Sequence, residues 1–213
     1  MPPWFFLYFF KTLMSSVYKV AVAVSGNGSN LQAIIDSAIE GVQIAPVICD
    51  RPGAPAIGRA QRGGIPVEVV DRSGFTSRGG FEDEIVKRLA PYEPDLIALA
   101  GFMRVLSPSF VKHFAGRIIN LHPSLLPDFP GMNAISRALK SGAESTGCTV
   151  HFVDEGVDTG PVIARAEVPI EPRDTEETLA EKIHAQEHRT YPEVISLFAS
   201  GKVRLENGKA VFS

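Results

Sequence analysis

Apolar positions along this chain follow two different periods. Residues 17–24 alternate and then fill with Val and Ala, residues 44–49 and 95–100 are nearly unbroken apolar runs, and Ile118-Ile119 closes another. Such runs predict strands buried on both faces of a parallel sheet, and residues 66–70 add a shorter one. Between them the period lengthens. A helix is predicted to start at residues 31–35, another spans residues 55–63, and a third spans residues 81–89, where Ile85, Val86 and Leu89 share a face. Four strand–helix alternations before residue 120 predict an α/β fold: a doubly wound, mostly parallel sheet with right-handed crossovers.

The pattern changes after that point. Residues 134–139 predict a helix, and residues 148–153 and 161–166 predict two strands around a turn, which makes antiparallel additions at the C-terminal end. Asp174, with Glu177 three residues on, has capping-box spacing and predicts Asp174 as the N-cap of a long helix running towards Phe198. Residues 203–212 predict a hairpin around Asn207-Gly208. No repeat, low-complexity tract or linker divides the chain, so residues 17–213 are expected to be a single domain. Residues 1–16 are expected to be an upstream extension or a disordered segment. Their apolar run from Trp4 to Phe10 is too short to span a bilayer and lacks the basic flank and cleavage site of a signal peptide.

Charge and cysteine usage narrow the classes. A net charge of −3 carries no polyanion-binding signature, so no nucleic-acid partner is expected, and no membrane partner either. Cys49 and Cys148 lie far apart in apolar runs and match no metal or redox spacing; they read as core fillers in a reducing, cytoplasmic compartment. No His/Glu pair has zinc-protease order, so no metal is expected.

The candidate chemistry centres on Asn120-Leu121-His122-Pro123-Ser124-Leu125-Leu126-Pro127. In open α/β sheets ligands sit outside the carboxyl ends of strands, and alternation puts residues i and i+2 on one side. An amide and an imidazole are therefore delivered together, followed by a loop stiffened by Pro123, Pro127 and Pro130. The plainer reading is an exposed turn with an incidental histidine. Ser25-Gly26-Asn27-Gly28-Ser29-Asn30 lies between a strand and a helix, where backbone N–H groups point at an anion and Ser29 or Asn30 can cap the helix. It lacks the third small residue of a dinucleotide fingerprint and the Gly-Lys-Ser/Thr of a phosphate loop, and a simple tight turn is the alternative. Residues 101–106 form either a pocket wall for a flat ring or core packing. Asp158, between glycines, is either a fixed carboxylate or part of an ordinary acidic loop. His184, Glu187 and His188 share a helix face that spacing alone reads as solvated, and Arg78 reads as a surface charge in a loop.

Taken together, Ser25-Gly-Asn-Gly-Ser-Asn-Leu-Gln-Ala-Ile34, Leu99-Ala-Gly-Phe-Met-Arg-Val-Leu-Ser107, the 120–127 block and Asp158-Thr-Gly-Pro161 closely resemble the phosphoribosylglycinamide formyltransferase family. The resemblance covers residues 18–205. It implies the formyltransferase fold, with a Rossmann-like N-terminal half, and transfer of the formyl group of 10-formyltetrahydrofolate to the amine of glycinamide ribonucleotide in purine biosynthesis. The implied catalytic set is Asn120, His122 and Asp158. Gly28, Ser29, Asn30, Pro123 and Glu187 would bind the ribonucleotide. Arg78, Met103, Arg104, Val105, Leu106, Asn120, Asp154 and Asp158 would bind the folate, which enters as a cosubstrate without any metal. Two positions depart from the family pattern: Asn133 where histidine is frequent, and His184 where glutamine can occur.

Rival readings fit less well. A formyltetrahydrofolate hydrolase carries an added N-terminal regulatory domain for which residues 1–17 leave no room. Methionyl-tRNA formylation calls for a basic surface and a C-terminal RNA-binding domain. A nicotinamide dehydrogenase lacks its fingerprint here, although Asp50 lies near the position of its acidic residue. A non-catalytic phosphate-binding module explains the glycine loop but not the polar groups gathered at strand ends. The expected assembly is a monomer or homodimer.

Overall fold

Strand β1 (Tyr18–Val24) shows how the sequence builds the molecule. Val20, Val22 and Val24 enter one apolar cluster while Ala21 and Ala23 enter another on the opposite face, so the strand is buried on both sides. In the computed structural model, which describes residues 17–213, β1 is an interior strand of a seven-stranded sheet. The expectations for residues 1–16 fall outside the described residues.

The strands are β2 (Val42–Cys49), β3 (Val67–Val69), β4 (Leu96–Leu99), β5 (Ile118–His122), β6 (Ser145–Phe152) and β7 (Val162–Pro169), in the order β3-β2-β1-β4-β5-β6-β7. β1 to β5 pair in parallel, and β6 and β7 are antiparallel additions. Helices α1 (Ser29–Asp36), α2 (Pro55–Arg62) and α6 (Glu176–Ala199) pack on one face, joined at its margin by α5 (Ala134–Ser141). Helices α3 (Arg78–Leu89) and α4 (Pro108–His113) cover the other. The doubly wound sheet expected from the pattern is the observed fold. A separate hairpin, β8 (Val203–Glu206) and β9 (Lys209–Phe212), turns at Asn207 and Gly208, both at positive φ. Cys49 and Cys148 are free and buried.

Several boundaries differ for physical reasons. The long helix is capped by Thr175 and not by Asp174: the Thr175 hydroxyl accepts from Thr178 N–H at 3.3 Å while Thr175 N–H donates to the Thr178 hydroxyl at 2.9 Å. Asp174 instead accepts from Glu171 N–H, the Thr178 hydroxyl and Lys182 Nζ. Helix α3 starts at Arg78, before the apolar face begins, because Ser77 caps Gly80 N–H at 3.0 Å. Helix α4 was not anticipated from apolar spacing, although Ser107 at its N-cap followed by Pro108 is a start signal in the sequence. Neither Ser29 nor Asn30 caps α1; that place is taken by Gly28 at φ 76°, with no side-chain bond. Among the described residues, no helix is long and apolar enough to cross a membrane.

Candidate active site

Along β5, Ile118 lies in the cluster beneath α3 and α4, and Asn120 and His122 continue the same side of the strand beyond it. They leave the apolar interior where the strand reaches its carboxyl end. β6 runs antiparallel beside β5, and its register sets His151 directly opposite Asn120. The loop between β6 and β7 then returns Asp158 over both. Asp158 sits at φ 56°, a left-handed conformation that aspartate tolerates better than most residues.

The four side chains form a connected group. Asp158 Oδ2 is 3.2 Å from His122 Nδ1 and accepts from Gly131 N–H at 2.8 Å. Asp158 Oδ1 accepts from Asn120 Nδ2 at 3.3 Å and lies 3.6 Å from His151 Nε2. Asn120 Nδ2 is also 3.2 Å from His151 Nε2, while His151 Nδ1 lies 2.8 Å from the carbonyl of Phe152. His122 Nε2 is 2.9 Å from the carbonyl of Phe129, so both its ring nitrogens face oxygen acceptors and only the imidazolium donates to both. Burial pushes the Asp158 carboxyl up, but His151, the Gly131 N–H and the His122 ring together outweigh it and bring it down to about 2. The group therefore holds a carboxylate, kept well below the usual carboxylate range, directly against the His122 ring.

This group forms one wall of a cavity of about 430 Å³. The opposite wall is residues 101–106, including the expected Met103, Arg104, Val105 and Leu106; Met103 and Val105 are more than half exposed. Pro123 and Asp154 also line it, and Asp154 braces its own loop by accepting from Gly156 N–H at 3.0 Å and Thr159 Oγ1 at 2.7 Å. The pocket-wall and core-packing readings of residues 101–106 both apply: all six line the cavity, and Phe102 and Leu106 also pack into the core beneath α3 and α4. Asn133, one of the two positions that depart from the family pattern, lines the cavity as the left-handed N-cap residue of α5 at φ 57°.

The glycine loop stands beside this cavity and does not line it. It leaves β1, the neighbour of β4, and the two loops are tied by Ser25 N–H to the carbonyl of Gly101 at 3.1 Å and Met103 N–H to Ser25 Oγ at 2.9 Å. Helix α2 packs so close that a Cβ on Gly28 would lie 2.7 Å from the Ala56 Cβ, and Arg59 fixes Asn27 through its carbonyl at 2.8 Å and its side-chain oxygen at 2.9 Å. Ser29 opens α1 without a side-chain hydrogen bond among the described residues. Asn30 Nδ2 donates to Glu187 Oε2 at 3.0 Å, bringing together two residues 157 positions apart. The solvated-face reading fails for Glu187, which is buried; its Oε2 also meets His184 Nδ1 at 2.8 Å. That carboxylate raises the pKa of His184 against the lowering effect of burial, while burial lowers that of the stacked His188. Arg78 stands apart, exposed at the start of α3 and outside the cavity lining.

His151 is the site residue that the sequence did not single out. It reads as one more position in an apolar strand, and only the β5–β6 register discloses its partner.

Comparison with known proteins bears on what this arrangement is. A formyl transferase family profile matches residues 18–195. The phosphoribosylglycinamide formyltransferase of Escherichia coli (strain K12) is 43% identical over 196 residues, covering 90% of this chain and 92% of that protein. The crystal structure of glycinamide ribonucleotide transformylase 1 from Symbiobacterium toebii superposes with a TM-score of 0.89 at 43% identity, covering 93% of this chain and 95% of that one. A trifunctional purine biosynthetic protein of Drosophila melanogaster is 45% identical over 196 residues, but the chain spans only 14% of its length. A doubly wound sheet with this cavity at its strand ends and a match of this extent define an enzyme of the formyl transferase class. With likeness of this degree running through nearly the whole of single-function relatives, the chain belongs to the phosphoribosylglycinamide formyltransferase family.

Proposed function

We propose that this protein transfers the formyl group of 10-formyltetrahydrofolate to the amine of glycinamide ribonucleotide by direct attack. The convergence of Asn120, His122 and Asp158 on one wall of an apolar-lined cavity is the observation that carries the reading. The amine attacks the formyl carbon, the resulting tetrahedral oxyanion collapses, and the bond from carbon to the folate nitrogen breaks. The amine loses a proton and the departing nitrogen gains one.

Each residue has a part in that balance. The oxyanion takes donors from Asn120 and from His122, drawing on hydrogen bonds that Asp158 now holds. Asp158 keeps His122 charged and accepts the amine proton, directly or through water, for return to the leaving nitrogen. Residues 103–106, with Asp154 and the 154–158 loop, receive the pterin. Backbone N–H groups of Gly28, Ser29 and Asn30 hold the ribose phosphate at the start of α1, with Glu187 and Pro123 facing the rest of the ribonucleotide.

The test is single-turnover formyl transfer, with and without glycinamide ribonucleotide, in wild type and Asp158→Asn. Folate release that requires the ribonucleotide and falls by about 10²-fold or more in the variant supports the reading. Equal release without the ribonucleotide means water is the acceptor and the protein is a hydrolase.

A further inference from the structure

We infer that Asp50, which does not line the cavity, is a positioning residue that sets the shape of the formyl-donor pocket through Arg104; the inference rests on the function proposed above. Residues 101–106 lack regular structure, and a single backbone bond within them, Arg104 N–H to the carbonyl of Phe102 at 2.9 Å, does little to fix them. Polar groups from other elements hold them instead. Ser25 holds Met103 N–H at the end of β1, and buried Glu82 on α3 holds Ser107 through its N–H at 2.8 Å and through its hydroxyl. Between these anchors, Arg104 Nε donates to Asp50 Oδ2 at 2.5 Å.

That middle anchor differs in kind. The Asp50 side chain is fully buried at the end of β2, and its other oxygen has no hydrogen-bond partner among the described residues. Its backbone is fixed on both sides, by Asp50 N–H to the Val24 carbonyl at 3.4 Å and Arg72 N–H to the Asp50 carbonyl at 3.3 Å. A buried carboxylate with one partner cannot follow that partner outward, so the guanidinium must come to it. Arg104 is thereby turned towards β2, and the backbone between Met103 and Val105 is presented to the cavity in one conformation. Without the Asp50 charge the guanidinium is free to leave, and the donor must then order the wall as it binds.

Asp50→Asn keeps the shape and removes the charge. Expected is a KM for 10-formyltetrahydrofolate raised on the order of tenfold, with kcat and the KM for glycinamide ribonucleotide within about twofold of wild type. Titration calorimetry with tetrahydrofolate should show the same loss of affinity. If the single variant fails to fold, Asp50→Asn combined with Arg104→Gln removes both charges, and its donor KM should match that of Arg104→Gln alone. The inference is overturned if a folded Asp50→Asn leaves the donor KM unchanged, if both KM values and kcat worsen together, or if the double variant is additive. A wild type that binds tetrahydrofolate but transfers no formyl group overturns the proposed function while calorimetry still decides the role of Asp50. A wild type that binds no folate overturns both.

Discussion

Asp158 concentrates the electrostatics of the site in one residue. Its folded pKa of about 2 lies below the ordinary 3.8, so folding favours the charged form. The unfolded chain therefore binds more protons between those values, and the stabilisation is complete above the higher one and lost as pH falls through the lower. Relative to Asp158→Asn, wild-type stability in urea should rise from about pH 2 to about pH 4. A carbon-detected NMR titration of the Asp158 carboxyl gives the direct reading, and a midpoint near 3.8 would contradict the assignment. The carboxylate does not act alone: without the two imidazoles and Gly131 N–H, its burial would raise the pKa instead of leaving it lowered.

At the scale of elements, α6 fastens the site from behind. Tyr191 is fully buried, and its hydroxyl donates to the carbonyl of Leu99 at 3.0 Å and approaches that of Ile119 at 3.3 Å. One side chain thus touches both strands whose ends form the cavity, and the same helix carries Glu187 to Asn30. Tyr191→Phe removes the donor and leaves the buried carbonyls with one contact fewer, a loss of about 1–2 kcal/mol in urea unfolding. A change within about 0.3 kcal/mol would show that the strand ladders already satisfy those carbonyls.

At the scale of the molecule, one sheet separates two apolar clusters, and β1, β4 and β5 contribute to both. Neither cluster can be exposed without stripping a face from the same strands. Urea unfolding should therefore appear as one transition, coincident by far-ultraviolet and near-ultraviolet circular dichroism. Two separated transitions would mean that the β6–β7 side unfolds independently. The sheet order also places the site. Chain direction across the sheet reverses between β1 and β4, and the glycine loop and residues 101–106 emerge there side by side.

Apolar period was enough to locate the parallel strands, most of the helices between them and the antiparallel end, because burial on both faces keeps the middle of such strands apolar; the short helix α4 escaped it. Alternation also determined that Asn120 and His122 share a side, since that follows from extended backbone geometry. Motif resemblance singled out Asp158 and the glycine loop; in the structure Asp158 stands on the cavity wall beside His122, and the glycine loop lies next to that cavity without lining it. What depends on register and on packing between distant elements could be decided only in three dimensions. His151 opposite Asn120, Glu187 against Asn30, and Asp50 beneath Arg104 are contacts across 31, 157 and 54 residues. No local pattern encodes them, because a side chain's partner is set by how strands and helices stack and not by its neighbours along the chain. The same reason explains why Glu187 reads as a solvated charge in sequence and is a buried hydrogen-bond acceptor in the fold.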